Sequence, residues 1–66
     1  MFVDFATDDN GTPRSLRVNP NQVAAFVEVS AQTTLLILVG GKEFTLAESA
    51  QRVQAKLEAA YGPVLV

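Results

Sequence analysis

Thr33–Leu46, with the sequence TTLLILVGGKEFTL, carries the clearest strand and turn signals in the chain. Its apolar residues run without a break from Leu35 to Val39, which is typical of a strand buried on both faces. Gly40-Gly41 then suits a two-residue hairpin turn of type I′ or II′, where positive φ angles are needed. Polar and apolar residues alternate from Lys42 to Leu46, which predicts a partner strand with one wetter face.

Upstream of this hairpin, the chain predicts a second one. Met1–Ala6 and Arg14–Val18 both alternate as strands do, and turn-forming residues separate them. We expect the two strands to pair across a long acidic loop, Asp8–Pro13. Asn19–Gln22 then predicts a short helical turn, because asparagine is a good N-cap and proline suits the first helical position.

The segment between the two hairpins is interpreted as another strand. Val23–Val29 is rich in β-branched residues and alternates, so Phe26 and Val27 should point to opposite faces. A helix from Pro20 to Phe26 is the competing interpretation.

An amphipathic helix is predicted after the central hairpin. Thr45–Glu48 has the S/T-x-x-E spacing of a capping box, so we expect the helix to begin there. Gly62 and Pro63 are suited to ending it. Apolar residues recur between these points at intervals of three and four and form one stripe: Ala50, Val53, Leu57, Ala60 and Tyr61.

Together these elements predict a single small α+β domain over residues 1–66. We expect a bent antiparallel five-stranded sheet with one C-terminal amphipathic helix against one of its faces, in the order β-β-β-β-β-α. One helix can cover only one face, so either the sheet curls into a small barrel or a second subunit covers the other face. We favour the second subunit. The residues expected at this oligomer interface are Phe26, Leu36, Leu38, Val64, Leu65 and Val66.

Composition restricts the possible functions. The 66 residues contain neither Cys nor His, which removes disulfides, thiolate and imidazole metal ligands, and the usual neutral-pH base. Asp8-Asp9 lacks the further oxygen ligands of a calcium loop, and Gly40-Gly41 lacks the features of a phosphate loop. We therefore predict no enzyme activity, no catalytic residue, no metal and no cofactor.

Charge and hydropathy bear on the partners. Five Lys and Arg against seven Asp and Glu give a net charge of −2, which disfavours nucleic acid because duplex binding needs a basic stripe. No apolar run approaches the roughly 20 residues that span a bilayer, and no signal peptide is evident, so we expect no membrane partner and a cytoplasmic location. An anionic ligand could still be held between subunits by four cationic residues: Arg14, Arg17, Lys42 and Arg52.

Val18–Val23, Gly41-Lys42 and Leu46–Ser49 carry a resemblance to a known family. In this order and spacing they resemble the small flagellar FlbD-type proteins, which are similar to short proteins of bacteriophages and prophages. The resemblance implies this architecture and a bacterial or phage origin, without implying an activity. The chain differs from the family at Asp8–Pro13 and at Gly62–Val66.

These observations lead to three hypotheses. The first is a non-enzymatic, homo-oligomeric interaction protein, bacterial or phage-encoded, that acts by binding another protein. The second is a protein that binds or sequesters a small anionic ligand such as a nucleotide. The third is a DNA-binding regulator.

Overall fold

Residues 2–61, which are those that the computed structural model describes, contain five strands and one α-helix. This confirms the predicted α+β class, with antiparallel strands followed by a C-terminal helix. The strands form two ladders, β1-β2 and β3-β4-β5, instead of one continuous sheet. Their bounds are β1 (Val3–Asp9), β2 (Thr12–Val18), β3 (Val23–Ser30), β4 (Thr33–Leu38) and β5 (Glu43–Leu46), with a 3-10 turn at Pro20–Gln22 and α1 at Ala50–Tyr61.

The first hairpin is closed by a tight turn, so the predicted long loop is wrong. β1 and β2 stay paired as far as Asp9 and Thr12. The two residues between them both have positive φ, 53° at Asn10 and 84° at Gly11. Asparagine and glycine tolerate this conformation, which matches the twist of a two-stranded ribbon. Asp8 therefore belongs to a strand.

The connection to β3 follows the prediction at its start and departs from it soon after. The Asn19 side chain accepts a hydrogen bond from the backbone N–H of Asn21 at 3.0 Å and so caps the 3-10 turn. The chain then continues as a strand, which rules out the competing helix. A register shift between Val23 and Ala25 interrupts the alternation. As a result Val23 pairs with Leu38 and packs against the core, instead of sharing a face with Ala25.

The turn between β4 and β5 is longer than the two glycines. The N–H of Gly41 donates to the carbonyl of Leu38 at 3.0 Å, so Val39 lies in the turn and not in the strand. Gly40 and Gly41 have φ angles of 97° and 93°, which residues with a Cβ rarely adopt.

The helix begins later than the capping-box spacing predicts. Thr45 lies in β5, and the first helical residue is Ala50. The hydroxyl of Ser49 accepts a hydrogen bond from the N–H of Arg52 at 3.2 Å, so Ser49 performs the capping role. The stripe is confirmed at its centre, because Val53 and Leu57 are buried.

One core joins both ladders to the helix. Its buried apolar members come from β1, β2, β4, β5 and α1, and the two ladders are also linked by a hydrogen bond of 2.8 Å from the N–H of Ala47 to the carbonyl of Ala6. Full burial of one such side chain is worth about 1.5–3 kcal/mol. The core residues are Val3, Phe5, Val18, Leu36, Leu46, Val53 and Leu57.

Candidate functional site

The outer face of the β3-β4-β5 sheet, defined by Ala25, Val27, Leu35 and Ile37, is apolar. Val27 pairs with Leu35 and Ala25 pairs with Ile37, so the four side chains form one patch. Strand alternation points them away from Leu36, which lies in the core with the helix residues. Val27 is 51% exposed. The outer face is therefore an apolar surface on the side of the sheet opposite α1.

The predicted interface residues of the central strands lie on the other side. Leu36 is fully buried within the single chain, so its prediction as an interface residue is wrong. Phe26 and Leu38 are half-buried and pack against the core, beneath the helix. On this face Thr34 pairs with Leu46 and Leu36 pairs with Phe44. The helix packs against it, since Leu36 and Leu46 share one buried cluster with Val53 and Leu57. Val64, Leu65 and Val66, the remaining predicted interface residues, lie outside the described residues.

A groove runs between α1 and β3, with a volume of about 630 Å³. Its apolar walls come from Val23 and Phe26 on the strand and from Leu57 and Tyr61 on the helix. The hydroxyl of Tyr61 donates to the carbonyl of Pro20 at 2.8 Å, which fixes the end of the helix beside the start of β3. This contact therefore bounds the groove at one end.

The rim of this groove is acidic. Among the described residues that line the groove, Glu58 is the one that carries a charge. Gln54 also lines the groove and lies one turn earlier on the helix. The amide of Gln54 donates to the carboxylate of Glu58 at 2.8 Å. Along the strand, Glu28 follows Phe26 by two residues and is exposed. No strand within the described range pairs with the outer edge of β3.

Glu48 is a buried carboxylate that joins several elements, a role that the capping-box prediction missed. Its side chain is 4% exposed and accepts three hydrogen bonds. The donors are the backbone N–H of Ala6 at 2.6 Å, Lys56 Nζ at 2.9 Å and Arg52 Nε at 3.1 Å. Lys56 also donates to the carbonyl of Asp4 at 3.0 Å. These contacts tie α1 to β1.

The pKa of Glu48 results from opposing effects. Burial alone would raise it, but the hydrogen bonds from Lys56 and Ala6 and the charges of Lys56 and Arg52 together lower the pKa below its ordinary value. A hydrogen bond from Arg17 likewise lowers the pKa of the exposed carboxyl of Asp4. Both carboxyl groups are therefore ionised at neutral pH.

The four cationic residues predicted to hold an anionic ligand are dispersed. Arg14 lies 3.5 Å from Asp9, Arg17 lies 3.0 Å from Asp4, and Arg52 lies 3.1 Å from Glu48. Lys42 lies over the ring of Phe44, 5.6 Å from its centre, in the turn before β5. None of the four lines the groove or the smaller cleft of about 160 Å³ beside Thr33 and Ala47. Anion binding by these residues stays a prediction.

Two further properties concern the described part of the chain only. Residues 2–61 bring together no group of three or more carboxylates that could hold a metal ion. Within the same range, α1 is too short and too polar to cross a membrane.

The comparisons with known proteins give no relative for this chain. It matches no protein-family model, and it has no significant match among curated proteins or solved structures. The resemblance to the FlbD-type proteins therefore stays a prediction that rests on the three short motifs.

Proposed function

We propose that this protein is a non-enzymatic interaction protein, bacterial or phage-encoded and cytoplasmic, that self-associates and acts by binding another protein. The observation that carries the proposal is the outer face, where two neighbouring strands present aliphatic side chains to solvent while α1 covers the opposite side. An apolar strand face of this kind can contact another protein, and its small area makes that contact weak. We propose a second copy of the chain as its occupant.

The composition of the outer face favours a second copy. Its centre carries no charge. Polar residues adjoin it at the margins: Glu43 and Thr45 on β5, and the pair Ser30 and Thr33 where β3 and β4 meet. Two such faces can stack with aliphatic centres together and with the β5 margins in contact with solvent. This arrangement gives an isologous dimer with an apolar core and a polar rim.

The size of the outer face sets the expected strength. Three strands about 4.8 Å apart, with about five residues each at about 3.4 Å, give a footprint of roughly 250 Å². A standard interface buries about 800 Å² on each partner. The association should therefore depend on concentration, with a dissociation constant in the micromolar range or weaker.

Sedimentation velocity across a concentration series tests the proposal. We expect the average mass to rise with concentration for the native chain and to stay near 7.1 kDa for Val27→Lys. Gln51→Lys adds the same charge at an exposed helix position and should behave as the native chain. A monomer at every concentration, or equal masses for the two variants, would refute self-association through this face.

A further inference from the structure

The edge of β3 and the groove beside it form a second surface, which faces α1 and shares Ala25 with the outer face. We propose that this surface binds an extended segment of another protein, in which aliphatic residues flank a Lys or Arg, as an added β-strand. This proposal rests on one part of the proposed function, the binding of another protein, and names the kind of segment that is bound. It does not depend on self-association.

The strand edge determines the form of the partner. β3 is eight residues long and has hydrogen-bonded neighbours on one side only within the described residues. Register shifts between Val23 and Ala25 and between Glu28 and Ser30 bound the regular part of this edge, Ala25–Glu28. The first three residues of this part carry neither a charge nor a proline, two of the features that protect an edge. A second extended backbone matches the repeating donors and acceptors of such an edge.

The groove determines the side chains of the partner. In an added strand, alternate side chains point toward α1 and enter the space between Phe26 and Leu57. These positions favour aliphatic residues. A basic residue of the partner between two such aliphatic residues can reach Glu58 on the helix. Glu28, farther along β3, is also negatively charged. Charge complementarity therefore selects a segment with a central cation.

The same charges argue against a second copy of this chain in the groove. Antiparallel pairing of two β3 strands would bring Glu28 and Glu58 of both copies to one seam. The groove-lining residues in the described range include no base to compensate them. Like charges along a seam oppose association.

Capped synthetic peptides test the proposal on the full chain. The probe is TVTKTVT, with valine and lysine on one side and threonine on the other, and TVTETVT is its charge-reversed counterpart. We expect the lysine peptide to bind and to shift NMR amide signals of Val23–Val27 and of helix residues Gln54 to Glu58. Glu58→Lys should weaken binding roughly two- to tenfold, which corresponds to reversing one exposed ion pair. Glu43→Lys makes the same charge change away from the groove and should leave the affinity unchanged.

Backbone recognition has its own readout. Two versions of the lysine peptide carry N-methyl groups on alternate amides, so that each has one blocked edge. Strand addition requires that one version loses binding while the other keeps it. Equal binding of both versions would overturn the proposal, as would tighter binding of TVTETVT.

Failure of this proposal can be told apart from failure of self-association. Leu35→Lys should weaken self-association but still bind the lysine peptide, since Leu35 lies on the outer face in β4 and not on the edge of β3. Removing residues 62–66 should leave the affinity unchanged. A marked gain of affinity on removal would overturn the assignment to another protein, because the chain's own C-terminal residues would then be the occupant.

Discussion

Replacing Glu48 by alanine removes a carboxylate that connects β1 to α1, and the structure allows its cost to be worked out contact by contact. The hydrogen bond from the Ala6 N–H, at 2.6 Å, is partly buried and charge-assisted, and bonds of this kind contribute about 1.5–3 kcal/mol. Lys56 is 31% exposed, so its loss of a partner adds about 1 kcal/mol. Arg52 is 70% exposed and adds a few tenths at most.

The sum must be reduced, because the variant no longer buries a charge. We therefore expect Glu48→Ala to lower the free energy of unfolding by about 2–4 kcal/mol. Glu48→Gln keeps an oxygen that can accept from Ala6 and should cost about half as much. At about 0.05–0.15 kcal/mol per residue, the whole domain is worth roughly 3–10 kcal/mol, so the alanine variant approaches the limit of folding.

The assay is urea unfolding followed by far-ultraviolet circular dichroism at one fixed protein concentration. Glu58→Ala is the matched control, because it removes an exposed helix carboxylate that contacts Gln54. This control should change stability by less than about 0.5 kcal/mol. If Glu48→Ala were no more destabilising than Glu58→Ala, the account of Glu48 as the link between the two elements would be wrong.

Three further predictions concern pH, the core and a turn. Because the folded pKa of Glu48 lies below 4.5, its contribution is complete above about pH 4.5 and is lost as the pH falls through the folded value. The stability gap between the native chain and Glu48→Gln should therefore shrink in acid, and a gap that widened in acid would contradict this sign. Leu36→Ala should lower the free energy of unfolding in urea by about 2–5 kcal/mol at every protein concentration, as expected of a core residue. A destabilisation seen only at high protein concentration would instead indicate that Leu36 lies in an interface between copies. Gly41→Ala should lower the midpoint of thermal unfolding, because a residue with a Cβ is strained at a φ of 93°. Each 1 kcal/mol of strain should lower the midpoint by roughly 4–8 °C. An unchanged midpoint would show that this turn tolerates a side chain.

Hydrophobic patterning predicted most of the elements from the sequence. The run Leu35–Val39 identified the central strand, and the helix stripe identified Val53 and Leu57 as buried. The choice of face was beyond such patterning, because both sides of β4 are apolar. The side of β4 that the helix covers depends on the register between β4 and β5 and on the point at which Ser49 starts the helix. Both depend on the folded arrangement of the chain, which hydrophobic patterning does not describe.

The other differences have local causes. The bulge at Ala24 turns Val23 inward, and an alternating sequence carries no sign of it. Glu48 has capping-box spacing from Thr45, yet its carboxylate bonds to Ala6, 42 residues away in the chain. A local motif cannot reveal such a partner. The groove was also missed, since its walls come from β3 and α1, which are far apart in the sequence.

Methyl NMR with a soluble paramagnetic gadolinium chelate tests the role of the outer face most directly. The chelate broadens the signals of methyl groups that it can reach, and Ala59 and Leu36 serve as exposed and buried references. As the protein concentration rises from about 10 μM to about 1 mM, we expect the methyl groups of Val27 and Ile37 to become protected from the chelate. If their broadening stays the same across that range while Ala59 remains exposed, the outer face does not bind a second copy.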